Sequence, residues 1–283
     1  TASLMRPPES LMKAARAAEV GAVLPEVFEH EGALWVAALA AREDADLAVY
    51  AENKDDFREQ ALITRRFEFV DGWVSDVVAR AVVRYLAAVL EAVSDLVAAC
   101  KPQAAFFEAM GPAGYAALAE LTALARDLGV PVVLDAKRGD IGSTAAAYAE
   151  AYLGDGPLAA DALTVNPYLG LDTLEPFVAA AVRGGRGLYV LVRTSNPGSR
   201  DLQGLELAGG GTVASRLAER VAARAAELDA DAQGYTALGA VAGAPEDLAW
   251  LREALPRSPL LVPGYGAQGG RADDVAPAFD ARG

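Results

Sequence analysis

The chain has 283 residues, of which 53% are hydrophobic, and a formal net charge of -14 at pH 7. This length allows one large α/β domain or two smaller ones, with enough apolar side chains for a large core. The acidic balance argues against binding to nucleic acid or to an anionic membrane surface, because either polyanion would be repelled. No apolar run reaches membrane-spanning length, and the N-terminus lacks a basic-then-apolar signal pattern, so we expect a cytoplasmic protein.

The single cysteine and the single histidine restrict the chemistry further. Cys100 has no second cysteine for an internal disulfide, which is compatible with a reducing compartment. His30 lies in a polar segment far in sequence from any nucleophile-like motif. A His-rich metal site or a Ser/His or Cys/His triad is therefore disfavoured, and we interpret His30 as a surface residue.

The first part of the chain carries the weakest periodic signal. We treat residues 1–65 as an atypical N-terminal segment of unclear role, in which 33–41 suits either a strand or a helix. Residues 65–73 alternate apolar and polar side chains before Asp71-Gly72, which predicts a short strand followed by a turn. Apolar residues at three- and four-residue spacing then predict a helix over 74–95.

From residue 96 onward, short apolar runs alternate with helical segments. The runs cover 96–100, 131–135, 160–165, 187–194, 235–243 and 259–266, and the helices between them cover 112–128, 143–153, 172–182, 212–228 and 245–254. Consecutive β-α units with near-continuous apolar strands predict a parallel sheet that is covered on both faces. Loops rich in Gly, Pro, Ser or Asn after each strand favour an α/β protein with a (β/α)8 TIM barrel over 66–283. A doubly wound open sheet is the alternative, although no G-x-G-x-x-G follows a first strand.

The most informative stretch is VVLDAKRGDIGSTAAA, at residues 132–147. Its apolar run ends in Asp135, Lys137 and Asp140, and an alanine-rich helix follows. In an extended strand Asp135 and Lys137 project to the same side, so a carboxylate and an ammonium are held together at the strand end. Only four of the 25 basic residues are lysines, which indicates a need for a compact, deprotonatable amine at Lys137. The alternative interpretation is a surface turn with a solvated salt bridge.

Five motifs, in this order, resemble the longer bacterial form of orotidine 5'-phosphate decarboxylase. They are Lys101-Pro102-Gln103 with AAFFEAMG, LDAKRGDIGST, VNPYLG, VRTSNPGS and VPGYGAQGG, and they cover about residues 75–275. The resemblance implies cofactor-free, metal-free decarboxylation of orotidine 5'-phosphate to uridine 5'-phosphate, the last step of de novo pyrimidine synthesis. It also implies a homodimer.

The resemblance assigns the catalytic roles to four residues. Lys137 would lie beside C6 of the substrate, stabilise the developing carbanion and protonate it. Asp135 and Asp140 would flank the substrate carboxylate. Lys101 would complete an alternating Lys-Asp-Lys-Asp array, which lets two carboxylates stay ionised side by side.

Other residues are implied to contact the substrate from either subunit. Asp140, Ile141 and Thr144 would reach into the site of the neighbouring subunit. Within the subunit, Ser195 would hydrogen-bond the pyrimidine edge, and Pro263 would pack against the base.

The ribose and phosphate ligands are less regular. Gln268 matches the glutamine that bridges base and phosphate, and Gly266 and Gly269 leave backbone amides free to approach an anion. The family's ribose-binding aspartate follows a first strand in a G-[IL]-D-P motif that is absent here, and Asp71 is the candidate of suitable position. The family's phosphate-binding arginine lies on an eighth strand, whereas this chain has a short C-terminal end, so Arg271 is the candidate substitute. Segments 33–41 and 46–50 are the candidates for the eighth strand.

Two other functions stay open. A metal-dependent barrel enzyme acting on a sugar phosphate uses the same D-x-K-x-x-D pattern, although Lys101 adds an ammonium where such enzymes keep acidic ligands. A catalytically impaired, nucleotide-binding relative would fit the atypical ends of the chain.

Overall fold

The computed structural model describes residues 23–30, 33–41, 47–53, 71–263 and 272–280. The chain divides into two compact units, one formed by Thr1–Leu96 with Ala105–Leu124 and the other by Val97–Ala104 with Ala125–Gly283. The domain boundary expected between residues 65 and 66 stays a prediction.

The first unit contains a three-stranded antiparallel sheet. Strands β1 (Val23–His30), β2 (Ala33–Ala41) and β3 (Leu47–Asn53) pair in the order β1-β2-β3. The ambiguous segment 33–41 is therefore a strand. The expectation that 33–41 or 46–50 supplies an eighth barrel strand is wrong, because both segments pair in this separate sheet. The connection over residues 42–46 is too short for a parallel crossover, which needs a dozen or more residues.

The first unit also contains α1 (Asp71–Val93) and most of α3 (Gly111–Asp127). The short helix α2 (Ala104–Glu108) comes between these two helices in the sequence. The predicted turn at Asp71-Gly72 is wrong, since α1 begins at Asp71. None of the described helices is both long enough and apolar enough to cross a membrane.

The second unit is built on a five-stranded parallel sheet. Its strands are β4 (Val133–Arg138), β5 (Ala162–Val165), β6 (Gly187–Arg193), β7 (Leu238–Ala242) and β8 (Leu260–Leu261), paired in chain order. The intervening helices are α4 (Gly142–Leu153), α5 (Glu175–Gly184), α6 (Val213–Ala226) and α7 (Leu248–Ala254), and α8 (Ala272–Val275) follows β8. Parallel bridges from Cys100 to Val132 and from Gln103 to Asp135 add a further extended segment beside β4. This succession confirms the predicted parallel β-α pattern.

The burial of the strands explains their continuous apolar sequences. Every residue of β5 and of β7 is buried, as expected for parallel strands that are covered on both faces. Leu163 and Val165 have no solvent-exposed surface. Since the strands are parallel, their carboxyl ends share one edge of the sheet, where the loops that follow them meet.

Candidate active site

The centre of the site is the carboxylate of Asp135, which accepts hydrogen bonds from four side chains. Lys101 Nζ and Gln103 Nε2 each lie 3.0 Å from Oδ2. Lys137 Nζ lies 2.6 Å from Oδ1, and Thr164 Oγ1 lies 3.0 Å from the same oxygen. The predicted pairing of Asp135 with Lys137 is confirmed, and Lys101 joins both in one cluster.

Three neighbouring segments of the sheet bring these side chains together. Asp135 and Lys137 lie on β4, and Thr164 lies on β5. Lys101 and Gln103 lie on the extended segment that bridges to β4, where the Asp135 N–H donates to the Pro102 carbonyl at 3.0 Å. The cluster therefore depends on sheet pairing as much as on the local motif.

The electrostatics of the cluster favour an ionised Asp135. Burial opposes ionisation, but the hydrogen bonds and charges of Lys137 and Lys101 prevail and hold the pKa of Asp135 below its usual range. Only 12% of the Asp135 side chain is exposed, whereas 46% of the Lys137 side chain and 38% of the Lys101 side chain are exposed. One buried carboxylate therefore holds both ammonium groups in place, while the exposed parts of the two lysine side chains are accessible to a ligand.

Lys137 has an unusual backbone. Its φ is 49°, and it is the one non-glycine residue with positive φ among those that the structure describes. The pairing of β4 with β5 shifts register between Leu134 and Arg138, and the Lys137 N–H donates to Thr164 Oγ1 at 2.9 Å instead. Such a conformation costs about 1–3 kcal/mol and clusters at functional sites.

Arg138 fastens the end of β4 to helix α4. Its guanidinium lies 5.5 Å from the ring centre of Tyr148 and 5.6 Å from that of Tyr152. Next to it, a Cβ on Gly139 would lie 2.7 Å from the Asn166 carbonyl oxygen, so only glycine fits this close approach of the two chain segments. This packing explains why residue 139 of the central motif is a glycine.

Asp140, Ile141 and Thr144 do not join the cluster within one chain. Asp140 Oδ1 accepts the Ile141 N–H at 2.8 Å, and within the described ranges Asp140 forms no ion pair. Ile141 is 62% exposed, and Thr144 is also exposed. Of the four residues in the predicted array, the cluster within one chain therefore contains Lys101, Asp135 and Lys137.

The loops after β6, β7 and β8 meet around Gly243. A Cβ on Gly243 would lie 2.9 Å from the Ser195 backbone nitrogen and 3.1 Å from Pro263 Cγ. Ser195 is exposed and Pro263 is half-buried. The structure thus brings these two predicted base-contacting residues together at the carboxyl edge of the sheet.

A buried arginine supports the loop that carries Ser195. Arg193 donates from Nε to Asp247 Oδ2 at 2.7 Å and from Nη1 to Ser199 Oγ at 2.6 Å. Gln203 accepts the Thr194 N–H at 2.9 Å and donates to Thr194 Oγ1 at 2.8 Å. These bonds connect the residue before Ser195 to the rest of its loop.

The remaining predicted ligands are those for the phosphate and the ribose. Gly266, Gln268, Gly269 and Arg271 lie outside the described residues and stay predictions. Asp71 as a ribose ligand also stays a prediction: it is the first residue of α1, and the strand expected before it lies outside the described residues.

Two members of the cluster, Gln103 and Thr164, were missed by the sequence analysis. Gln103 follows Lys101 by two residues, the spacing that places both on one side of an extended segment. Thr164 is the hydroxyl residue of the otherwise apolar strand ALTV, and a polar residue in a buried strand is itself a signal. In the part of the chain that the structure describes, no three His, Cys, Asp or Glu residues are grouped as metal ligands.

Comparison with known proteins supports one family. A family model described as "Orotidine 5'-phosphate decarboxylase / HUMPS family" matches residues 76–281. Orotidine 5'-phosphate decarboxylase from Rhodopirellula baltica is 52% identical over 216 residues, covering 74% of this chain and 70% of that protein. The enzyme of the same name from Deinococcus radiodurans is 52% identical over 197 residues, covering 69% of this chain and 70% of that protein.

Solved structures agree with the sequence comparison. A crystal structure from Streptomyces avermitilis is 44% identical with a TM-score of 0.64, covering 72% of this chain and 70% of that chain. The structure of Leishmania donovani OMP decarboxylase is 38% identical with a TM-score of 0.58, covering 69% of this chain and 75% of that chain. These neighbours confirm the TIM-barrel fold, to which the five parallel strands belong. The chain is a member of the orotidine 5'-phosphate decarboxylase / HUMPS family.

Proposed function

We propose that this protein decarboxylates orotidine 5'-phosphate to uridine 5'-phosphate, with residues 66–283 as the catalytic domain. The observation that carries this proposal is one buried carboxylate, Asp135, holding the ammonium groups of Lys101 and Lys137 at the carboxyl edge of a parallel sheet. Two relatives that are 52% identical to this chain are named for the same reaction.

The chemistry follows from the charges. When the C6–carboxylate bond breaks, CO2 leaves and the electron pair stays on C6 as a carbanion. An ammonium that is fixed in advance stabilises this charge without reorganisation and then protonates C6. Lys137 is suited to this role because Asp135 anchors its Nζ at 2.6 Å while nearly half of its side chain is exposed. The neutral amine that results regains its proton from water.

The second aspartate of the array is proposed to come from a partner subunit. Asp140 has no ion-pair partner among the described residues, and Ile141 beside it is exposed. A homodimer in which Asp140, Ile141 and Thr144 complete the neighbouring site would cover this surface. We also propose a cytoplasmic location, in keeping with a nucleotide substrate.

The rest of the substrate would be bound by loops at the same edge. Ser195 and Pro263, which both lie close to Gly243, are proposed to contact the pyrimidine. The proposed phosphate and ribose ligands are Gly266, Gln268, Gly269, Arg271 and Asp71.

A metal-dependent enzyme acting on a sugar phosphate is the second candidate, since the matching family model also covers HUMPS. The surroundings of Asp135 argue against it. Lys101 and Gln103 both donate to Oδ2, and Lys137 and Thr164 both donate to Oδ1. A metal ion would have to displace donors from one of these oxygens.

The test compares the wild-type protein with Lys137→Ala. We expect the orotate absorbance to fall when wild-type protein is mixed with orotidine 5'-phosphate, and the Lys137→Ala protein to lose this activity while still being stabilised by uridine 5'-phosphate. Wild-type protein that is stabilised by uridine 5'-phosphate but does not turn over the substrate would be an impaired relative instead. Activity that disappears with a chelator would support the metal-dependent enzyme.

A further inference from the structure

We propose that Thr164 is a positioning residue for the decarboxylation, because it holds the backbone of Lys137 and the carboxylate of Asp135 in one fixed arrangement. This inference rests on the proposed function for its kinetic consequences. Its structural content concerns only the geometry of three residues.

A single buried hydroxyl contacts both reacting-site residues. Thr164 is 1% exposed. Its Oγ1 accepts the Lys137 N–H at 2.9 Å and donates to Asp135 Oδ1 at 3.0 Å. Because Lys137 Nζ also donates to Asp135 Oδ1 at 2.6 Å, a closed ring of hydrogen bonds runs from the lysine backbone through Thr164 and Asp135 to the lysine ammonium.

The hydroxyl compensates for a gap in the sheet. Lys137 has a left-handed φ of 49° within a strand, at the point where the pairing of β4 with β5 loses its register. Its N–H donates to the side chain of Thr164 on β5 rather than to a backbone carbonyl of that strand. A partly buried N–H that lost this acceptor would favour a different backbone conformation. The direction in which the Lys137 side chain leaves the strand therefore depends on Thr164.

The hydroxyl also provides a donor that does not change during the reaction. Lys137 loses its charge when it protonates C6, and its attraction to Asp135 weakens at that moment. Thr164 is neutral throughout, so its bond to Oδ1 keeps Asp135 oriented until water recharges the amine. Lys101 and Gln103 do the same for Oδ2.

The experiment compares Thr164→Val with Thr164→Ser and uses Thr236→Val as the matched control. Valine keeps the shape and removes the hydroxyl, and serine restores it. Thr236 is also buried, at 5% exposed, and its Oγ1 accepts the Leu238 N–H at 3.4 Å and donates to the Arg257 carbonyl at 3.3 Å. It precedes β7 at the opposite edge of the sheet, away from the proposed site.

We expect kcat/KM for orotidine 5'-phosphate to fall roughly ten- to a hundredfold in Thr164→Val, the usual effect of losing a hydrogen bond to a charged group. Most of the loss should lie in kcat, because the arrangement matters in the transition state. The acid limb of the pH profile should move to higher pH, since Asp135 loses a donor that favours its charged form. Thr164→Ser should stay within about threefold of wild type, and Thr236→Val should match wild type in kcat/KM and pH profile.

A crystal structure of Thr164→Val gives a readout that is independent of turnover. We expect Lys137 to leave the left-handed region or its Nζ to move away from Asp135. The inference is overturned if this geometry is unchanged, or if Thr236→Val lowers kcat/KM as much as Thr164→Val does. Wild-type protein that lacks turnover would refute the proposed function alone, because the geometric comparison would still stand.

Discussion

Replacing Asp135 by asparagine tests whether the central carboxylate organises the site. Asparagine has nearly the same shape, but its amide offers one oxygen where the carboxylate offers two. If that oxygen keeps the bonds from Lys137 and Thr164, the amide nitrogen faces Lys101 Nζ and Gln103 Nε2, which are both donors. At least two of the four hydrogen bonds are then lost, together with the charge between two ammonium groups.

The expected loss of stability is modest and the expected loss of activity is large. Breaking a fully buried ion pair costs about 3–5 kcal/mol, and an exposed pair contributes about 0–1 kcal/mol. Because the lysine side chains are 38% and 46% exposed, we expect Asp135→Asn to lower the free energy of unfolding by about 1–2 kcal/mol. Removing one preorganised electrostatic group from an active site lowers kcat by about 10²–10³-fold.

The assay combines chemical denaturation with the decarboxylation rate at saturating orotidine 5'-phosphate. Asp161→Asn is the control, because Asp161 Oδ2 accepts the Val132 N–H at 2.7 Å near the amino end of β5, and asparagine can keep this bond. The control should retain its rate. An Asp135→Asn protein that kept a third or more of the wild-type rate, or one that failed to fold, would refute the reasoning.

Two further predictions follow from the same geometry. Gly243→Ala should raise the KM for orotidine 5'-phosphate severalfold and lower the free energy of unfolding by about 1–3 kcal/mol, because the new Cβ would press on the Ser195 backbone. Gly209→Ala is the control, since a Cβ at Gly209 would have no atom within 4 Å, and it should change neither quantity in the same assays. An unchanged KM in Gly243→Ala would contradict the packing of these loops. Asp135 has a folded-state pKa below the ordinary value of 3.8, because its bonds to Lys137 and Lys101 outweigh the effect of burial. Its contribution to stability should therefore be fully present above that value and disappear as the pH falls through the lower folded-state pKa, so denaturation curves of wild type and Asp135→Asn should converge only in that acid range. Convergence of the two curves near neutral pH would mean that the ion pairs of Asp135 do not cause the difference in stability between the two proteins.

The sequence allowed the parallel part of the fold to be predicted because apolar runs and helical periodicity are local signals. The helix predicted over 143–153 is α4 (Gly142–Leu153), and the run 187–194 is β6 (Gly187–Arg193). The N-terminal segments were harder, because an alanine-rich run such as 33–41 suits a helix or a strand until a pairing partner is known. Asp71 was predicted to lie in a turn rather than in α1, because the short alternating run before it was given more weight than the helical pattern after it.

The candidate site was predictable where it depends on spacing and not where it depends on pairing. The period of two in an extended chain placed Asp135 and Lys137 together, although Lys137 in fact has a left-handed backbone. The contact of Thr164 with both residues arises only when β5 pairs with β4, and that of Gln103 only when its segment bridges to β4. The pattern within each segment can mark Gln103 or Thr164 as unusual, but it does not show which residue either one contacts.

The most direct test of the central claim is the reaction of chelator-treated wild-type protein with orotidine 5'-phosphate, followed by quantifying uridine 5'-phosphate and CO2. The ammonium of Lys137, anchored by Asp135, is expected to supply the proton for C6 without a metal ion. One uridine 5'-phosphate and one CO2 should therefore form per substrate consumed, at a rate that the chelator does not change. Substrate that is bound but not decarboxylated, or turnover that returns only when a divalent cation is added, would contradict the account.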